Sequence, residues 1–367
     1  MPIIKCGCAS FLKKQYNLHS IWFMRILKFH NLVLVCLYSV FCLAFLFVSH
    51  AVFAVQTENK TEEADQPVEI TEQVYGPVTE EESIKEQEAL QAAEPVIPDE
   101  DLALHFLSSY DPIMMNSDVM AFYGHPNAAS MGIIGQYSLE DLEPLLIKFA
   151  DEYDAVNGVR TVTPALYLIF GTCWPEGEIG YLNSETCKKY IDYAAERGWL
   201  VFLDHQIGKY SVEYATKRLL PYLQYENVHL ALDPEWRTTK PMQEIGWVTA
   251  EEVNKAQQMI EDYLIENNLP GKRMLVIHQF KPWMISRRSE VRSNFERVNL
   301  VHCADGFGTP AQKKDSYAAN AEAKNIPLKS FKLFTKPAIA GAGFDSPMMT
   351  PEEVLALEPR PYLIMLQ

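Results

Sequence analysis

From residue 120 onward, short runs of apolar and β-branched residues alternate with stretches whose apolar positions recur every three to four residues. That alternation is the pattern of a parallel sheet with crossover helices, because parallel neighbours need a connection long enough to carry the chain back. Eight strands are predicted. The first four are residues 120–125 (MAFYGH), 161–170 (TVTPALYLIF), 199–206 (WLVFLDHQ) and 228–236 (VHLALDPEW). The second four are 273–280 (RMLVIHQF), 298–305 (VNLVHCAD), 330–334 (SFKLF) and 362–367 (YLIMLQ). Helices are predicted over 138–153, with Ser138 as N-cap and Asp141 completing a box-like start, over 183–198, ending at Gly198, and over 211–223. Two more are predicted over 249–267, where Thr249 and Glu252 have capping-box spacing, and over 350–357. Eight strands, the eighth closing the sequence, predict an α/β fold of the (β/α)8 TIM-barrel type, which takes roughly 250 residues.

The first third of the chain has a different composition. Its first 30 residues carry Lys5, Lys13, Lys14, Arg25 and Lys28 and no acidic side chain, and residues 31–54 form an almost unbroken apolar run. About 20 apolar residues suffice to span a bilayer as a helix, and the positive charge before them places the N-terminus in the cytoplasm. Val52 and Ala54 supply the small residues that a signal peptidase reads. Residues 1–55 are therefore expected to be a cleaved signal peptide or a retained transmembrane anchor in the inner membrane. Either puts the rest of the chain outside the cytoplasm, in the periplasm or beyond. Residues 56–100 hold 14 acidic residues against two lysines, with Pro67, Pro77, Pro95 and Pro98 among them. So little apolar area cannot offset the entropy of ordering, and residues 56–105 are expected to be a disordered acidic linker before a barrel domain at 106–367.

The net charge of −16 belongs chiefly to this linker. No basic cluster provides an electrostatic footprint for nucleic acid. Beyond the linker lie Cys173, Cys187 and Cys303. Cys173 and Cys187 could pair in an oxidising compartment, or all three could be buried free thiols. No Cys-x-x-Cys spacing marks a structural zinc site.

In strands three to six the apolar run comes first and chemically capable residues come last: Asp204 and Gln206, Asp233 and Glu235, His278 and Gln279, Asp305. Parallel strands bring those ends to one rim, where barrel active sites lie. Side chains alternate along a strand, so Asp233 and Glu235 are predicted to share the inward face with Ala231, their backbones roughly 6–7 Å apart. That separation is compatible with both glycosidase stereochemistries, and carboxylates so close push one pKa upward. Asp204 and His278 fall in inward phase, whereas His205 falls out of it. Asp305 precedes Gly306-Phe307-Gly308, a turn that can approach a ligand closely. His125 ends strand one. Lys332 lies within strand seven, where an unpaired buried charge is costly, so it should meet a carboxylate or a substrate anion. Trp174, Trp236 and Trp283 fall on rim loops, where flat aromatic faces suit sugars. Glu235, Asp233, Asp204, His278 and Asp305 are thus the candidate catalytic residues. His125, Gln206, Trp236, Lys332, Trp174 and Trp283 are the candidate substrate-binding ones.

At Asp233-Pro-Glu235, with Asp204, His278 and Asp305, the sequence resembles barrel glycoside hydrolases carrying a strand-four Asp-x-Glu, the muramidase-like and, more distantly, the chitinase-like enzymes. A longer pattern is similar to a group of bacterial exported TIM-barrel proteins. It comprises Tyr123-Gly-His125-Pro, Leu203-Asp204-His-Gln206, Leu232-Asp233-Pro-Glu235, His278-Gln-Phe280 and Asp305-Gly-Phe-Gly308. Where the chitinase-like family has a longer Asp-rich run, Leu230, Ala231 and Leu232 stand here, so the resemblance does not extend to that family's substrate-assisted mechanism. It implies an exported hydrolase of envelope or extracellular polysaccharide, with Glu235 as general acid, Asp233 or Asp204 as its ionised partner, and no cofactor. Two other readings remain open from the residues. One is a metal-dependent hydrolase of phosphoesters or amides, with His125, Asp204, Asp233, Glu235, His278 and Asp305 as available ligands for a divalent ion. The other is a non-catalytic barrel binding glycan or an envelope partner.

Overall fold

The computed structural model describes residues 116–337 and 342–367. The apolar segment at 1–55 and the acidic linker at 56–105 lie outside the described residues, and among those described no helix is long and apolar enough to cross a membrane. In chain order the elements begin with β1 (Ser117–His125), β2 (Ala128–Gly132), α1 (Leu139–Asp154), β3 (Thr161–Cys173), β4 (Ile179–Tyr181) and α2 (Ser184–Ala195). They continue with β5 (Leu200–Gln206), α3 (Val212–Leu219), β6 (Val228–Asp233), β7 (Val248–Thr249), α4 (Ala250–Glu266) and β8 (Arg273–Gln279). The last are β9 (Ile285–Ser286), β10 (Val298–Ala304), α5 (Pro310–Ala321), β11 (Leu328–Leu333), α6 (Pro351–Leu355) and β12 (Leu363–Leu366).

Eight of the strands are parallel and pair in sequence order: β1, β3, β5, β6, β8, β10, β11 and β12. β12 then pairs with β1, Val119 opposite Leu363, and the sheet closes. This is the expected α/β barrel. At the closure, outward-facing Asp118 accepts Arg160 Nε at 2.7 Å and both Arg360 Nη atoms at 2.9 and 2.5 Å. One buried carboxylate thereby ties the start of β1 to the segments entering β3 and β12.

Strand alternation divides the core in two. Inward residues such as Ala121, Tyr167, Phe202, Ala231, Val276 and Cys303 fill the barrel, while Leu166, Leu203, Leu230, Leu232 and Ile277 pack against the helices. Each fully buried Leu or Phe side chain contributes roughly 1.5–3 kcal/mol. The helices start where short polar side chains satisfy the free N–H groups of the first turn. Ser138 accepts from the Asp141 N–H, Asn183 from Thr186 and Ser211 from Tyr214, and capping boxes open α4 (Thr249 with Glu252) and α6 (Thr350 with Glu353).

The structure departs from the sequence expectation in several places. Strand four ends at Asp233, because Pro234 has no N–H to continue the ladder and opens a 3-10 turn, Pro234–Trp236. Glu235 is therefore carried by a turn, and the strand-alternation spacing inferred for Asp233 and Glu235 does not apply. The second strand extends to Cys173 through a bulge between Ile169 and Gly171. Helix α5 is absent from the sequence expectation. Its buried face is Lys313, Tyr317 and Asn320, so it shows no apolar periodicity. Among the described residues, 3-10 turns and β9 rather than an α-helix connect β8 to β10. Cys173, Cys187 and Cys303 are all buried free thiols, so the possible bridge is not formed.

Candidate active site

The inward phase that fills the barrel with apolar residues turns polar at its C-terminal end. Asp204 on β5, Asp233 on β6, His278 on β8 and Asp305 just past β10 converge there, each no more than 7% exposed. Their spacing follows from register. Gln206 is opposite Asp233, and His278 is opposite Cys303, two residues before Asp305.

Hydrogen bonds organise the cluster. Tyr123 donates to Asp204 Oδ2 at 2.8 Å, and His278 Nε2 lies 3.9 Å from the same oxygen. His278 Nδ1 is 3.1 Å from Asp305 Oδ2, and its Nε2 is 2.8 Å from the Tyr167 hydroxyl. Each of Asp204, Asp233 and Asp305 keeps a buried Oδ1 with no hydrogen-bond partner among the described residues. Asp233, His278 and Asp305 each place a ligand-capable atom within 4.8 Å of the others.

Electrostatics separate these groups. Burial, with contributions from Asp204, Asp305 and Glu235 and against the pull of His278, holds the Asp233 pKa well above the carboxylate range. Burial works against charge on His278, but the Cys303 sulfur, Asp204 and the bond to Asp305 outweigh it and hold the ring's pKa well above its ordinary value. Glu235, half-buried at the rim, is pushed up to about 7 by burial and then by Asp305, while Lys332 and His278 pull the other way. Burial, and then Asp204, keeps the Tyr123 and Tyr167 phenols well above their usual range, so both remain hydrogen-bonding groups.

The turn that presents Glu235 is held on both sides. The Glu235 carbonyl accepts the Gly246 N–H at 2.6 Å. A Cβ on Gly246 would come within 2.4 Å of the Pro234 carbonyl, so the approach needs glycine. Arg237 reaches the α4 capping residue Glu252 at 2.8 Å and the Trp247 carbonyl at 3.3 Å.

The remaining candidates have varied surroundings. Lys332 points inward with its ammonium 3.6 Å from the Tyr123 ring centroid, so an aromatic face receives the charge expected to need a carboxylate. The Gln206 side-chain oxygen accepts the Cys173 N–H at 2.7 Å and joins β5 to the end of β3. His125 ends β1, half-buried, its Nδ1 accepting the Asn127 N–H. Trp174 is 58% exposed and lies against Gly180, while Trp236 and Trp283 are half-buried in the turns after β6 and β8. His205 points out of the barrel toward Tyr181 and Phe170, as its phase predicts. Gly308, at φ 148°, donates its N–H to Asp345, which joins the loop after Asp305 to the one after β11. Tyr123 and Tyr167 were missed as site residues, although both fall in inward phase one layer below the rim.

No protein-family model matches the chain, and no curated protein matches it. Among solved structures it is similar to a family 18 chitinase from Crocus vernus, at 11% identity and a TM-score of 0.35 over 68% of this chain and 92% of that one. It is also similar to a GH10 endoxylanase retrieved from a sugarcane soil metagenome, at 8% identity and a TM-score of 0.34 over 68% and 84%. A third similarity is to a GH138 enzyme targeting pectin rhamnogalacturonan II, at 11% identity and a TM-score of 0.34 over 70% of this chain. The chain spans about a third of that enzyme's length, at 34%.

Proposed function

We propose that this chain is an exported glycoside hydrolase of envelope or extracellular polysaccharide, with Glu235 as its general acid. One observation carries the reading: a half-buried carboxyl at the barrel mouth, pushed up to about 7, beside a cluster of buried aspartates. Glycosidic cleavage needs a proton delivered to the leaving oxygen and negative charge near the oxocarbenium-like sugar. A donor poised near neutral pH delivers that proton best.

Asp305 is the strongest electrostatic influence on Glu235 after burial, and it keeps the proton there. Asp204 is the anionic partner. Tyr123 donates to its Oδ2, His278 Nε2 lies 3.9 Å from the same atom, and its buried Oδ1 has no hydrogen-bond partner among the described residues. Asp233, held neutral by burial, hydrogen-bonds the sugar from within the barrel. Trp174, Trp236 and Trp283 offer flat faces to sugar rings around the rim. Export rests on the basic start and apolar run of residues 1–55.

The test is release of reducing ends from a panel of peptidoglycan and neutral and acidic glycans. Glu235→Gln is expected to lower turnover by about 10²–10⁴-fold, the usual contribution of a positioned acid. Undiminished turnover by that variant would reject the assignment. Fractionation of cells making the full chain tests export, and recovery of the barrel from the cytosol would oppose it.

A further inference from the structure

We infer that Asp233, His278 and Asp305 form a binding site for one divalent transition-metal ion of the Zn²⁺ or Mn²⁺ class. Two observations carry this independently. The first is geometric. Ligand-capable atoms of the three side chains lie within 4.8 Å of one another, and His278 Nδ1 is already 3.1 Å from Asp305 Oδ2. Neighbouring ligands about 2.0–2.2 Å from a common ion sit roughly 3–3.5 Å apart, so that contact has the span of two adjacent ligands.

The second observation is an unsatisfied donor set. Asp233 is 2% exposed and its Oδ1 has no partner among the described residues, and the Asp305 Oδ1 is likewise unpartnered. Buried carboxylate oxygens rarely stay unpaired, and each one calls for an explanation. A cation supplies it.

The ligand types choose the ion. Two carboxylate oxygens and one imidazole nitrogen suit Zn²⁺ or Mn²⁺ better than Ca²⁺ or Mg²⁺, which favour all-oxygen shells. Three protein ligands leave a position for water or substrate, the pattern of catalytic rather than structural sites. Tyr167 completes the arrangement. Its hydroxyl holds Nε2 at 2.8 Å, the outer hydrogen bond that fixes a ligating imidazole with Nδ1 facing the ion. The site does not depend on the glycosidase reading, and a bound cation would take the place of the proton that reading keeps on Asp233.

The test uses the full chain, stripped with chelator and titrated calorimetrically with ZnCl₂ and with MnCl₂ at pH 8, where protons compete least for the ligands. One ion per chain is expected. Asp233→Asn and Asp305→Asn should each weaken binding at least tenfold, and Tyr167→Phe by about 10–100-fold. Near-UV circular dichroism checks that each variant is folded, and Tyr167→Phe keeps the test decisive if an aspartate variant is not. No uptake by the wild type, or unchanged affinity in folded Asp233→Asn or Tyr167→Phe, overturns the site. Binding by a protein that hydrolyses no glycan would leave the site standing and remove the glycosidase reading, and hydrolysis with no metal uptake would do the reverse.

Discussion

Replacing Glu235 by Gln should make the protein more stable at alkaline pH while removing its activity. The folded state holds this carboxyl at about 7 against a reference of 4.5. Between those values the folded chain binds a proton that the unfolded chain has released, so stability falls as pH rises from about 4.5 through 7. Ionising the group in the folded state costs at most about 3.4 kcal/mol, at 1.36 kcal/mol per pKa unit. Solvent screening at the half-buried rim reduces that to about 1–2 kcal/mol. Gln cannot ionise and escapes the cost. Urea unfolding followed by tryptophan fluorescence, extrapolated to water at pH 8 and at pH 4.5, measures the difference. The variant should gain about 1–2 kcal/mol at pH 8 and show almost no gain at pH 4.5. An equal or lower stability at pH 8 would refute the electrostatic account of Glu235, because it would mean that the folded chain holds the ionised carboxylate without penalty.

Two further substitutions probe the supports of the site. Tyr123→Phe removes the only side-chain donor bonded to Asp204 among the described residues, so stability should fall by about 1.5–3 kcal/mol, the scale for a hydrogen bond to a charged group. Steady-state kinetics of reducing-end release should show kcat reduced more than KM rises, and a purely structural role would leave kcat unchanged. Lys313 and Asp345 form an ion pair at 3.2 Å, each side chain about 1% exposed, and Lys313 also donates to the Lys332 carbonyl. Lys313→Met should cost about 3–5 kcal/mol in urea unfolding. The double replacement Lys313→Met with Asp345→Asn should cost less than the single one, and a larger loss in the double variant would show that Asp345 acts mainly through its bonds to Gly308 and Phe334.

The barrel was legible because its strands are short apolar runs and, among the described residues, five of six helices carry N-capping residues before an amphipathic stretch. α5 escaped because the face it buries is Lys313, Tyr317 and Asn320 rather than apolar. Its capping box, Thr309 with Gln312 around Pro310, was the readable sign. The convergence of Asp204, Asp233, His278 and Asp305 follows from period-two alternation and parallel register, both readable from sequence. The position of Glu235 was not readable in that way. Pro234 ends the strand, and what aims the side chain is a turn held by Gly246 and Arg237, contacts made ten or more residues away. The roles of Tyr123 and Tyr167 were hidden for a related reason. An inward tyrosine reads as core, and only the folded barrel shows that its hydroxyl reaches a carboxylate or imidazole on another strand.

On the proposed reading, the barrel mouth holds a proton on Glu235 for delivery to a leaving oxygen. The pH dependence of kcat/KM on a hydrolysed glycan tests it most directly, because that parameter reports ionisations of the free enzyme. A descending limb with an apparent pKa near 7 is expected, as the Glu235 carboxyl loses its proton. A rate constant that stays level or rises from about pH 6 to about pH 9 would overturn it.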